Sequence, residues 1–101
     1  MNIFSDIPEK LPEELTEILI ESQNIRIEKI VSDGHNSPKD FWYDQNENEW
    51  IIVLKGNAKI EFEDKVVTLK EGDYLNIPKH KKHRVKSTSK TEKTIWLAVF
   101  Y

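Results

Sequence analysis

Few side chains in this 101-residue sequence could do chemistry. There are three histidines, His35, His80 and His83, and no cysteine. The missing cysteine removes disulfides, thiolate metal sites and thiol nucleophiles together, and it fits a cytoplasmic protein. What remains is imidazole and carboxylate, which as neighbours in an apolar pocket can move protons. The segment Phe41-Trp42-Tyr43-Asp44-Gln45 sets three aromatics before two polar groups. If Trp42 points outward, strand alternation turns Phe41 and Tyr43 inward. Aromatic walls with a few polar groups describe a small-molecule pocket. The same aromatics would serve equally as core packing or as a dimer surface. His80 lies beside Pro78, either at a pocket mouth or simply within an exposed basic run. His35 and Ser37 sit in a loop that would cap a pocket or stay merely polar.

Other chemistries are excluded by what is missing. The chain has no G-x-S-x-G elbow, P-loop, G-x-G-x-x-G or H-E-x-x-H. Its net charge of −3 gives no global field for nucleic acid. One basic run exists, Lys79, Lys81, Lys82, Arg84 and Lys86. It reads as a solvated strand end, because no aromatics interleave with it to stack bases. No apolar run reaches the roughly 18 residues that a bilayer span needs. The N-terminal MNIFSDIPEKLPEELTE lacks the basic and apolar stretches of a signal peptide. The expectation is a soluble cytoplasmic protein with neither nucleic-acid nor membrane partner.

The elements that must position these residues follow from periodicity. Residues 1–23 read as a helical segment packed on the rest. Pro12 suits a first helical position, and Glu13 and Glu14 suit the positive end of the dipole. Leu11, Leu15, Ile18 and Leu19 fall on one helical stripe. Residues 24–101 read as strands. Ile25, Ile27 and Ile30 recur mostly with period two, and Gly34 to Asp40 is a loop. A strand is expected to begin at Phe41 to Tyr43. Trp50 to Leu54 is continuously apolar and reads as a strand buried on both faces. Gly56-Asn57 turns the chain into Ala58, Ile60 and Phe62, which alternate with charged residues. Val66 to Leu69, Tyr74 to Ile77, His83 to Ser87 and Ile95 to Tyr101 complete the set. About eight short strands with tight turns make an all-β sandwich or barrel.

The turns also carry a resemblance. Glu49 is followed after six residues by Gly56, Gly72 after five by Pro78, and His83 stands five beyond Pro78. In this spacing, Ile25 to Tyr101 resembles the cupins, whose motifs run G-x5-H-x-H-x3,4-E-x6-G and G-x5-P-x-G-x2-H-x3-N. The resemblance implies a double-stranded β-helix, the jelly-roll barrel, and the short N-terminal helix read from periodicity would be laid on it. It implies one pocket, across which Glu49 and His83 face each other, a small-molecule ligand and a homodimer. The departures are specific. Tyr43 and Gln45 occupy the positions of the first motif's two histidines, and His80 and Ser87 replace the second motif's glycine and asparagine. Of a three-His, one-Glu metal cage, Glu49 and His83 remain. The resemblance therefore makes Glu49 and His83 the catalytic candidates and Phe41, Tyr43, Gln45 and His80 the ligand-binding ones. Gln45, Glu49 and His83 would form a reduced site for zinc, iron, nickel or manganese. A metal-free binding module stands beside that reading.

Overall fold

A computed structural model describes residues 1–101. Eight strands follow one another: β1 (Leu15–Glu21), β2 (Arg26–Ser32), β3 (Glu49–Lys55), β4 (Asn57–Phe62), β5 (Val66–Lys70), β6 (Tyr74–Ile77), β7 (His83–Thr88) and β8 (Thr94–Phe100). They form a five-stranded antiparallel sheet, ordered β1-β2-β8-β3-β6, and a three-stranded sheet, ordered β5-β4-β7. The alternating residues of β4 fit this arrangement, with Ala58, Ile60 and Phe62 buried. Facing them from the larger sheet are Ile51, Val53, Ile77, Trp96, Ala98 and Phe100, which close one core between the layers.

Two expectations about these elements need correction. The N-terminal segment contains no helix, and Leu15–Glu21 is an edge strand paired with β2 from Leu15↔Val31 to Glu21↔Arg26. The helical stripe was real as a spacing, but a lone helix of that length is marginal in water. The free edge of β2 offers a ladder of backbone hydrogen bonds instead, and Thr16, Ile18 and Ile20 are β-branched residues suited to it. Ahead of β1, residues 4–9 lie as a strap against the outside of the larger sheet, beside Leu54, Lys55 and Ile95. The Lys29 ammonium, buried beneath that strap, donates to the Ser5 carbonyl, and Lys93 donates to that of Glu9. Second, β3 is not buried on both faces: Ile51 and Val53 are buried while Trp50, Ile52 and Leu54 are half-buried. A sheet facing the core on one side needs only one dry face.

Two positive-φ residues shape connections between strands. Gly56 takes φ +85° at the β3–β4 turn, where an added Cβ would lie 2.5 Å from Thr94 Oγ1 and 2.8 Å from Thr94 Cα. His80 takes φ +64° in the β6–β7 connection. That conformation explains why the cupin motif has glycine at this position.

Candidate functional site

The strand register decides which side chains face inward. Glu49 opposes Phe100 of β8 and Ile77 of β6, and Phe100 in turn opposes Arg26 of β2. These residues share a row on the inner face. With Glu28, Ile30, Ile51 and Trp96 they line a cavity of about 270 Å³. The opposite wall supplies Ile60, His83 and Val85, and the remaining lining comes from Glu14, Thr16, Tyr43 and Gln45.

The segment around Tyr43 is not a regular strand. Tyr43 makes a single two-way bridge to His83, with N–H···O distances of 2.7 and 3.1 Å. That bridge fixes the Tyr43 ring against His83, centroids 5.4 Å apart and planes 23° apart. The next residues are tied to the β6–β7 connection: His80 N–H donates to the Gln45 carbonyl and Lys79 N–H to Asn48 Oδ1. The Gln45 side chain lines the cavity, and its Oε1 is buried without a hydrogen-bond partner. A buried acceptor left in this state costs free energy until a donor meets it.

At His83 the proton inventory is tightly constrained. Nδ1 lies 2.9 Å from the Lys81 carbonyl. A carbonyl only accepts, so Nδ1 carries a proton. Nε2 lies 3.4 Å from Glu49 Oε1, and both side chains are largely buried. A neutral imidazole would then face a carboxylate lone pair to lone pair. The pair resolves this by holding one more proton, as imidazolium with carboxylate or as imidazole with carboxylic acid. Burial is the largest influence on His83 and pushes its pKa down. The hydrogen bonds to Glu49 and the Lys81 carbonyl, with the Glu49 charge, outweigh it and leave the pKa raised. Burial, then the charges of Glu14 and Glu49, push the Tyr43 phenol up. It stays protonated and is a donor at neutral pH.

The sequence candidates thus divide. Tyr43, Gln45, Glu49 and His83 converge on the cavity. Phe41 lies outside it, exposed, with its ring edge-on to Tyr43 at 4.8 Å. His80 also lies outside, paired at 2.9 Å with Asp44 in an exposed contact. Glu14, Arg26 and Glu28 were missed. The period-two reading of Ile25, Ile27 and Ile30 left the inward parity of β2 open, and the inward side carries Arg26, Glu28 and Ile30. Two charged residues alternating on one face of a barrel strand were the available signal.

The donor set does not fit a resident divalent ion. No three His, Cys, Asp or Glu side chains converge to hold one. Beside His83 and Glu49, the residues at the motif's histidine positions offer an amide oxygen, Gln45 Oε1, and a phenol that stays protonated. Neither replaces an imidazole well.

Residues 30–100 match the family model described as Cupin domain. The chain belongs to the cupin family. Among solved structures, one from Ralstonia eutropha JMP134, provisionally called a mannose-6-phosphate isomerase, is 41% identical, with a TM-score of 0.96 over 99% of this chain and 94% of that one. A cupin superfamily protein from Desulfitobacterium hafniense DCB-2 is 23% identical, with a TM-score of 0.77 over 93% and 82%. A protein from Neisseria meningitidis is 18% identical, with a TM-score of 0.74 over 99% and 96%. The last two relate to this cupin by fold alone. No curated protein matches the sequence.

Proposed function

We propose that this cupin binds a small carbonyl- or hydroxyl-bearing metabolite in the barrel and that the His83–Glu49 pair transfers a proton on it. The observation that carries the reading is His83 itself, with Nδ1 committed to a carbonyl and Nε2 turned toward Glu49 inside a cavity. A pair sharing one labile proton can give it to a carbonyl oxygen and take one from the adjacent carbon. In this scheme Gln45 Oε1 accepts from a ligand hydroxyl, and the protonated Tyr43 phenol donates. Isomerisation between an aldose and a ketose needs that traffic, and the name given to the Ralstonia protein agrees with it in reaction type.

The second reading is a non-catalytic module that holds its ligand without turnover. The orphaned Gln45 Oε1 favours it, since it requires a ligand donor and no chemistry. The same atom is the one point in favour of a zinc, iron, nickel or manganese ion on Gln45, Glu49 and His83. Elemental analysis after loading tests that, and near-stoichiometric metal lost in His83→Ala would restore the metal reading. We take the working unit to be a homodimer in the cytoplasm, in keeping with the chain's small size and cysteine-free composition.

Exchange of α-hydrogens tests the catalytic reading. The protein would be incubated in D2O with a panel of aldoses, ketoses and small hydroxy-carbonyls, and deuterium followed by NMR. We expect exchange on at least one compound and a loss of roughly 100-fold or more in Glu49→Gln and His83→Ala, the usual weight of a general acid–base group. Ligand binding without exchange would select the module. Exchange unaffected by either substitution would remove the pair from the mechanism.

A further inference from the structure

The cavity wall carries three carboxylates, Glu14, Glu28 and Glu49, against one permanent cation, Arg26. How they pair matters more than the count. Arg26 directs Nε to Glu28 and both terminal nitrogens to Glu47, while its guanidinium carbon lies 4.2 Å from the centroid of the Phe100 ring. A guanidinium occupied in this way has no free fork for an anion. Glu49 is matched by His83. Glu14 makes no ion pair, and its one partner is the Ser32 hydroxyl, which donates to it at 2.6 Å. Ser32 is fully buried and accepts the Trp96 indole N–H at 3.2 Å. This relay holds the Glu14 carboxylate on the cavity wall although the residue belongs to the exposed approach to β1. No lysine lines the cavity. Lys79, Lys81, Lys82 and Lys86 are all exposed elsewhere.

We propose that the cavity selects its ligand by charge: Glu14 receives the ammonium group of a small amine, and a phosphate ester is rejected. The inference rests on the barrel being a small-molecule pocket and adds the charge class of what enters it. Tyr43 and Trp96 line the same cavity, and aromatic side chains suit a cation as well. A phosphate dianion would find Arg26 already spent and three carboxylates around it. By this reasoning the pocket is ill-suited to the phosphorylated sugar in the Ralstonia protein's name.

Matched probes test this: benzylamine, benzyl alcohol and benzyl phosphate, titrated into the intact protein and into Glu14→Gln, with the Trp96 indole and Tyr43 ring signals followed by NMR. The glutamine still accepts from Ser32, so the fold is kept. We expect benzylamine to move both signals and bind about threefold more tightly than the alcohol, as a solvent-screened charge pair allows. The phosphate should leave the signals in place, and Glu14→Gln should reduce the amine to the alcohol's affinity. Phosphate binding as strong as the amine's, or an amine preference that survives Glu14→Gln, would overturn the charge selection while leaving the pocket standing. If none of the probes moves Trp96 or Tyr43, the pocket reading fails and the inference falls with it.

Discussion

His83 gains a partner on folding that it lacks in the unfolded chain, and stability must register this. Its folded pKa is raised above the usual value of about 6.5. A raised imidazole pKa means that the folded state holds the proton more tightly. The resulting stabilisation is fully present below about pH 6.5 and is lost as pH rises through the folded value. Urea unfolding of the protein and of His83→Gln at a series of pH values checks this. The stability difference between them should be largest on the acid side and shrink toward alkaline pH, and a difference that grows with pH would contradict it. His83 and Glu49 were legible in the sequence because a family spacing points at them. Arg26 and Glu28 were not, because the period-two pattern of β2 does not say which parity faces inward. Glu14 was hidden by a helical stripe that the chain does not use.

Elements were most legible where turn chemistry was explicit. The turn at Gly56-Asn57 was legible and does require glycine, but it carries the chain from β3 in one sheet to β4 in the other rather than closing a hairpin. An alanine there would meet the Thr94 backbone and side chain while holding a left-handed φ. We expect Gly56→Ala to cost about 2–4 kcal/mol, the sum of backbone strain and a core clash. Thermal unfolding measures it, and a loss below about 1 kcal/mol would mean the turn relaxes freely. The N-terminal strand was illegible for a tertiary reason. Leu15–Glu21 has an acceptable helical pattern of its own, and only the unfilled edge of β2 decides against it. The edge is supplied by residues 26–32, which no local window around β1 contains.

For the whole molecule, the barrel's exterior bears on assembly. Ile20, Ile27, Val99 and Trp50 form one continuous row across β1, β2, β8 and β3 by register. All four occupy the side of the sheet opposite the cavity, and Ile20 is exposed, as is Tyr74 beside Trp50. An apolar row on a chain this small is the self-complementary patch that a two-fold dimer would use. Sedimentation should give a dimer at micromolar concentration, and Ile20→Lys should shift it to monomer without loss of fold. A wild-type monomer would leave the homodimer expectation without support. The all-β barrel was legible in the strand count and turn spacing, and a pocket between its sheets was implied by the family resemblance. The outer row was not, because periodicity says which residues share a face but not whether that face is inside or out.

The proposed chemistry depends on the proton that His83 and Glu49 hold between them, and one measurement reaches it directly. Nitrogen chemical shifts of 15N-labelled histidine, followed through a pH titration and repeated in Glu49→Gln, report both ring nitrogens of His83. Nδ1 should stay protonated throughout. Nε2 should lose its proton only above the usual histidine range, and that elevation should disappear in the variant. A neutral His83 with a bare Nδ1, or a titration at or below the ordinary value in the wild-type protein, would contradict it.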